Sequence, residues 1–357
     1  MNNILLTERL PTKRSIGPKL NIKHGCIDLS HGSGGRATAQ LIEQLFFKAF
    51  DNPWLAQKND QASFEVTAGR MVMTTDAYVI SPLFFPGGNI GSLAVHGTIN
   101  DIAMAGATPA YLSVSFILEE GFPLRDLQTI VISMANAARD ANVAIITGDT
   151  KVVERGKGDG VFITTTGVGF IPEGIEISGH KARPGDHVIL SGFIGDHGIA
   201  IMSQRLHLQF ATTIQSDSAA LHELVNTMIT TVPSLHCLRD PTRGGIATTL
   251  NELALQSQVG FIIDEKQIPI RTDVASACEL LGLDPMYVAN EGKLLAICAP
   301  EDSDRLVNVM REHPQGSDAA IIGEVIDDPR CFVQLRTKIG GMRMMDWLSG
   351  EQLPRIC

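Results

Sequence analysis

Three aspartates share one local pattern. Thr74-Thr75-Asp76-Ala77, Ile99-Asn100-Asp101-Ile102 and Thr147-Gly148-Asp149-Thr150 each set a carboxylate directly after a short apolar run or inside a small-residue turn. Carboxylates at strand ends lie where α/β proteins hold their ligands. Hard Mg2+ takes a few carboxylate oxygens together with substrate phosphates. Asp76, Asp101 and Asp149 therefore predict a magnesium–nucleotide site. Any one of them alone is more often a helix or turn cap; three with the same grammar shift the balance toward a site.

Two glycine loops add to this. His31-Gly32-Ser33-Gly34-Gly35 precedes a stretch in which Leu41, Ile42, Leu45, Phe46 and Phe50 recur at helical spacing. Backbone N–H groups ahead of a helix can cradle an anion, aided by the helix dipole. The loop matches neither GxxxxGK[ST] nor GxGxxG in its strand context, so an ordinary turn explains it equally well. Arg243-Gly244-Gly245 opens a second helix in the same way.

Cys357 stands last in the sequence. At ~3.3 Å per extended residue, a swing from Leu353 to Cys357 carries its sulfur roughly 15 Å. A thiol on such an arm can collect a group in one place and deliver it in another, with Pro354 stiffening the arm and Arg355 available to a carboxylate or phosphate. A chain that happens to stop at a cysteine looks the same.

The elements that must position these groups alternate. Ile90–Gly106 reads as a small-residue helix carrying Asn100 and Asp101. Ala110–Leu118 reads as a strand. Leu124–Asp140 is a helix with Leu127, Ile130, Val131, Met134 and Ala138 on one side. Val143–Thr147 and Val161–Gly169 are strands, the second rich in β-branched residues. Residues 51–69 read as a surface connection. A boundary falls near 172–184, after which strands and helices mix again through His187–Ser191, Ile246–Gln256, Leu294–Cys298, 301–313 and 320–326. The pattern predicts an N-terminal arm (1–27), an α+β nucleotide domain (28–172), a second α+β domain (173–342) and a tail (343–357).

Composition sets the class. Of 357 residues, 44% are hydrophobic and 19% charged, enough apolar material for a packed core. Lys and Arg total 29 against 39 Asp and Glu, a net charge of −10 that argues against coating nucleic acid. No apolar run approaches the roughly 20 residues that span a bilayer, and the start lacks a signal-type apolar region. The six cysteines, at 26, 237, 278, 298, 331 and 357, form no CxxC pair. The expectation is a cytoplasmic protein with reduced thiols and with neither nucleic acid nor membrane as a partner.

The motifs together are more specific than their parts. His31-Gly-Ser-Gly-Gly35, the Asp76 turn, Gly97-Thr-Ile-Asn-Asp101, Thr147-Gly-Asp-Thr-Lys151, Asp240-Pro-Thr-Arg-Gly-Gly245, Asn290-Glu-Gly-Lys293 and Pro354-Arg-Ile-Cys357 occur in that order. This closely resembles the HypE family of hydrogenase maturation proteins, from about residue 28 onward. The Asp motifs alone resemble the wider aminoimidazole-ribonucleotide-synthetase-like (PurM-like) superfamily, which also holds thiamine-phosphate kinase and selenophosphate synthetase.

The resemblance implies two PurM-like α+β domains, mixed sheets with flanking helices, and a homodimer whose N-terminal sheets form the interface around ATP. It implies that Cys357 receives a carbamoyl group from HypF, and that ATP with Mg2+ drives dehydration of the S-carboxamide to a thiocyanate. The cyanide then passes to iron held by HypC–HypD, for the [NiFe] hydrogenase centre. Glu291 is implied as the base for the nitrogen protons, with His96 a rival, and Lys151 as neutralising phosphate or orienting the carboxamide. Ser33, Gly34, Gly35, Asn100, Thr147 and Thr150 are implied around the nucleotide, and Asp76, Asp101 and Asp149 on the metal. The residues ahead of the glycine loop depart from the family pattern. The alternative is a small-molecule kinase or synthetase of the superfamily, which would not need Cys357.

Overall fold

The computed structural model describes residues 19–33, 35–59, 61–66, 69–208, 214–348 and 355–357. Two sheets organise it. The N-terminal sheet has four strands in the order Arg70–Tyr78, Val161–Ile171, Thr108–Glu119, Ala144–Val153. The first three pair antiparallel. Thr108–Glu119 and Ala144–Val153 run parallel, joined by the crossover helix Leu124–Asp140 as parallel strands require.

That helix buries the expected stripe of Leu127, Ile130, Val131, Met134 and Ala138. Its neighbour, Ile90–Met104, is apolar and small-residued all round, and so is buried on nearly every side. It lies against the strands Arg70–Tyr78 and Val161–Ile171. The opposite face of the sheet is left half-exposed, with Met71, Met73 and Ile117 open to solvent.

The second sheet has seven strands in the order Met342–Met344, Val333–Arg336, Gly260–Asp264, Ala320–Ile326, His187–Leu190, Leu295–Cys298, Cys237–Arg239. Only the Val333–Arg336 and Gly260–Asp264 pair is parallel. Both its faces are covered. The Gly245–Ser257 helix contributes Ile246, Leu250 and Leu253 to one core, and the helices His222–Thr231 and Pro300–Arg311 contribute Leu224, Met228, Leu306 and Met310 to the other. Cys278 and Cys298 are buried core thiols, raised by burial to about 11 and about 12.

The largest apolar cluster crosses between the halves. Ile199 and Ile201 from the Asp196–Arg205 helix, Val274 and Ala277 from the Thr272–Leu281 helix, and Ile356 pack with the N-terminal core. No described helix is long and apolar enough to cross a membrane.

Two local expectations need correction. Two of the aspartates do not sit at strand ends: Asp76 lies inside Arg70–Tyr78 and Asp149 inside Ala144–Val153, while Asp101 lies in the Ile90–Met104 helix as expected. Alternation of polar and apolar residues carries a strand through a carboxylate when one face is open. The connection 51–69 also contains a short helix, Pro53–Ala56, capped by the Asn52 side chain on Leu55 N–H at 3.0 Å.

Candidate active site

The tail residues 355–357 dock between the two halves. Val79 N–H donates to the Cys357 carbonyl and Ser81 N–H to the Arg355 carbonyl, both at 3.2 Å, so the tail lies alongside the chain that leaves Arg70–Tyr78. Arg355 has a left-handed φ of 54°, and Ile356, next along, is fully buried. The Arg355 side chain donates to Val79 O at 3.0 Å and pairs with Asp159. From the other half, His197 Nε2 meets the Ile356 carbonyl at 2.8 Å and Arg205 reaches the Arg355 carbonyl at 3.0 Å.

This places the Cys357 sulfur 3.1 Å from the Arg243 guanidinium, which donates to it. Burial first and the nearby Glu291 second raise the thiol to about 12, with Arg243 opposing both. A docked thiol is therefore protonated and a poor nucleophile.

Around that sulfur stand carboxyl groups with too little counter-charge. Thr74 and Asp76 alternate on the helix-facing side of their strand, and Thr74 Oγ1 donates to Asp101 Oδ2 at 2.8 Å. Asp101 is raised by burial and by Asp76, the Thr74 hydrogen bond opposing. Asp240 is raised to about 7, chiefly by burial and then by Asp101. Glu291 is fully buried and raised well above the carboxylate range, by burial first and then by Asp240, Asp217, Asp76 and Asp101. Its Oε1 has no hydrogen-bond partner among the described residues. Asp101, Asp240, Thr74 and Arg243 line a cleft of about 380 Å3.

The remaining expected residues gather elsewhere. Adjacent strands keep facing residues on one side. Asp76 is opposite Thr165, which is opposite Val114, which is opposite Gly148. Gly148 and Thr150 thus share Asp76's side, while Thr147, Asp149 and Lys151 point to the open face at the far edge of the sheet. Lys151 Nζ lies 2.7 Å from Asp149 Oδ2 and holds Asp149 below its ordinary range. The glycine loop packs on this edge, where a Cβ on Gly32 would run into Val152. Ser33 donates to Ser30 O at 3.0 Å and Gly35 caps the helix Arg36–Leu41; Gly34 lies outside the described residues. A cavity of about 590 Å3, floored by Phe46, Phe50 and Trp54, runs from Thr38 to Thr147–Thr150.

One chain thus brings Asp76, Asp101, Glu291 and Cys357 together and leaves Asp149, Lys151 and Thr147 on another face. Among the described residues no three His, Cys, Asp or Glu converge closely enough to hold a metal ion. Asp76 and Asp101 supply two hard oxygen donors, the number that Mg2+ commonly shares with phosphates. Asn100 spends its amide on the backbone: Nδ2 donates to Ala219 O (3.0 Å) and Glu291 O (3.3 Å), and Oδ1 accepts from Leu221 N–H (2.8 Å). It pins the loop that carries Glu291. His96 is half-buried, its Nδ1 3.0 Å from Ser218 Oγ, and desolvation lowers it to about 4.

Sequence reasoning assigned no role to Asp240, Arg243, His197 or the tripeptide Ser216-Asp217-Ser218. Arg243 and Asp240 stood within a quoted motif, so a signal existed. The tripeptide had none, yet Asp217 Oδ1 accepts the Glu291 N–H at 3.1 Å. A Cβ on Gly292 would collide with the Asp217 carbonyl, which accounts for the glycine after Glu291.

With this geometry in hand, likeness to known proteins is informative. The AIR synthase related protein N-terminal domain family matches residues 58–171, and its C-terminal domain family matches 183–336. The chain is 68% identical over 339 residues to the carbamoyl dehydratase HypE of Cupriavidus necator, covering 95% of this chain and 97% of that protein. A crystal structure of the hydrogenase maturation protein HypE in complex with ATP superposes with a TM-score of 0.89 at 50% identity, covering 92% of this chain and 99% of that one. The HypE of a HypE–HypF complex gives 0.77 at 46% identity, covering 86% and 99%. A two-domain α+β fold of this type, at these identities and over this much of both chains, places the protein in the HypE family of carbamoyl dehydratases.

Proposed function

We propose that this chain uses ATP to dehydrate an S-carboxamide on Cys357 to a thiocyanate, supplying cyanide for the iron of a [NiFe] hydrogenase. The observation that carries this reading is the docked sulfur, held by Arg243 at 3.1 Å and near enough to the buried Glu291 carboxyl to feel its charge, with Glu291 Oε1 lacking a hydrogen-bond partner among the described residues. The reaction balances as S-carboxamide plus ATP giving thiocyanate, ADP, phosphate and one proton. The carboxamide oxygen accepts the γ-phosphoryl group and leaves as phosphate when the C≡N bond forms. The nitrogen gives up both hydrogens, and Glu291 is the base within reach. A bound Mg2+ on Asp76 and Asp101 would offset charge on the transferring phosphoryl group.

Asp149 and Lys151 enter through a second copy of the chain. Their open sheet face, with Met71, Met73 and Ile117 exposed beside it, suits a homodimer interface that faces one copy's Lys151 toward the other's cleft. The cavity floored by Phe46, Phe50 and Trp54 suits an adenosine, with Thr147, Thr150, Ser33 and the glycine loop at its phosphate end. The solved HypE–HypF complex supports HypF as the carbamoyl donor, and HypC–HypD is the acceptor this reading requires. The setting is the cytoplasm. A small-molecule kinase is the weaker reading, because it has no need of the docked Cys357 held by Arg243.

Intact-mass measurement tests the proposal. The carbamoyl-loaded chain should lose one water, about 18 Da, on adding ATP, with the change confined to the C-terminal peptide. Hydrolysis of ATP at constant protein mass would reject it, as would full turnover by a chain lacking Cys357.

A further inference from the structure

The tail is gripped by its main chain, and two side chains do this from the far half: Arg205 on the Arg355 carbonyl and His197 on the Ile356 carbonyl. His197 sits in the first turn of the Asp196–Arg205 helix, fully buried, with its ring edge-on to Phe85 at 5.6 Å. Both ring nitrogens are used. Nε2 lies 2.8 Å from the Ile356 carbonyl and Nδ1 lies 2.8 Å from Ser216 Oγ. Ser216 Oγ in turn accepts from the Ser218 N–H at 3.1 Å. With that acceptor role fixed, the hydroxyl hydrogen is free to point at Nδ1, which leaves the proton on Nε2, aimed at the tail.

The relay runs Ser218 N–H to Ser216 Oγ–H to His197 Nδ1, then Nε2–H to the Ile356 carbonyl. Burial lowers the His197 pKa, consistent with a neutral ring of fixed tautomer. The same tripeptide holds Glu291, whose N–H donates to Asp217 Oδ1 at 3.1 Å. Latch and base are thus built on three consecutive residues.

We infer that His197, oriented by Ser216, is a positioning residue that latches the docked tail through the Ile356 carbonyl and so fixes where the Cys357 sulfur rests relative to Glu291. The latch touches no atom of the Cys357 side chain. It therefore holds the thiol, the carboxamide and the thiocyanate alike, and the cargo does not open it. This inference rests on the carrier reading of the tail, but its test does not require dehydration.

In the full-length protein, Cys357 alkylation by iodoacetamide, followed on the C-terminal peptide, reports tail opening. His197→Ala should speed labelling about fivefold or more, the change in opening expected from losing one buried hydrogen bond. His197→Gln, whose amide can present N–H near the Nε2 position, should restore most of the protection, which a general loss of packing would not. Ser216→Ala leaves the helix untouched and should speed labelling by a smaller factor, so the idea stays testable if His197→Ala folds poorly. Unchanged labelling in both His197→Ala and Ser216→Ala overturns the latch, as does a His197→Gln protein as fast as His197→Ala. In the carbamoyl-loaded protein, single-turnover dehydration should slow in the order of labelling rates. Dehydration that fails in the unmutated loaded protein, while its tail stays protected and the His197→Ala tail does not, would count against the proposed function and not the latch.

Discussion

Glu291 is a carboxyl group in a place that water does not reach, with four other acids acting on it. Its folded pKa lies above the ordinary value of 4.5, so the folded protein keeps a proton that the unfolded chain releases. The sign follows: stability is lost as pH rises above about 4.5. Glu291→Gln should remove that penalty. Urea unfolding should find the variant progressively more stable than the parent between pH 5 and 8, while dehydration falls about 10²–10⁴-fold, the usual worth of a positioned base. Cys357 has a parallel pH response. Docking raises its thiol from about 9 to about 12, so tail docking is full below about 9 and weakens from there toward 12. Thiolate absorbance at pH 10, compared with Cys357→Ser, should show this sulfur still protonated. At this scale much was legible: Cys357, Asp76 and Asp101 stood out by type and position, Glu291 through the family resemblance, and they lie close enough that Glu291 feels both aspartates and Cys357 feels Glu291 and Asp76. His197 and Ser216 were not, because they find the tail across more than a hundred residues and belong to no local pattern.

The elements explain what the motifs conceal. Helix Ile90–Met104 reads as a plain small-residue helix, and its glycines are there for close approach. A Cβ on Gly97 would fall inside contact distance of the Tyr78 hydroxyl, at the end of the strand that carries Asp76. Gly97→Ala should lower stability by about 1–3 kcal/mol through overpacking, measured by urea midpoint. Tyr78→Phe in the same chain should recover part of the loss, and the double-mutant cycle gives the coupling. Helix Leu124–Asp140 was readable from its apolar stripe alone. The strands were harder. Ala144–Val153 was expected to end near Gly148, since polar residues look like turns, yet it continues through Asp149 and Lys151 on an open face. Once its full length is known, counting by twos separates Thr147, Asp149 and Lys151 from Asp76. That division is written in the sequence but unreadable without the strand's far end.

At the scale of the molecule, the division of the site between two faces makes a definite demand. If Lys151 serves the cleft of a second copy, Lys151→Ala and Cys357→Ala chains are each inactive alone but complement when mixed. Random reassortment of subunits of a twofold dimer then restores about a quarter of the sites. Mass analysis of thiocyanate formation in such a mixture measures this directly, and no recovery would mean that lysine and sulfur work within one chain. The two-domain organisation was legible from the alternation of strands and helices. The shared core was not, since Ile199, Val274 and Ile356 give no sign in sequence that they pack against the N-terminal half.

The pairing of Arg355 and Cys357 with Ser81 and Val79 gives the protein two built-in clocks. Those two amide hydrogens should trade with deuterium slowly while the tail is home and rapidly once it leaves. Their rates, read site by site, would time each departure in an unlabelled, unmutated enzyme as nucleotide and partners come and go.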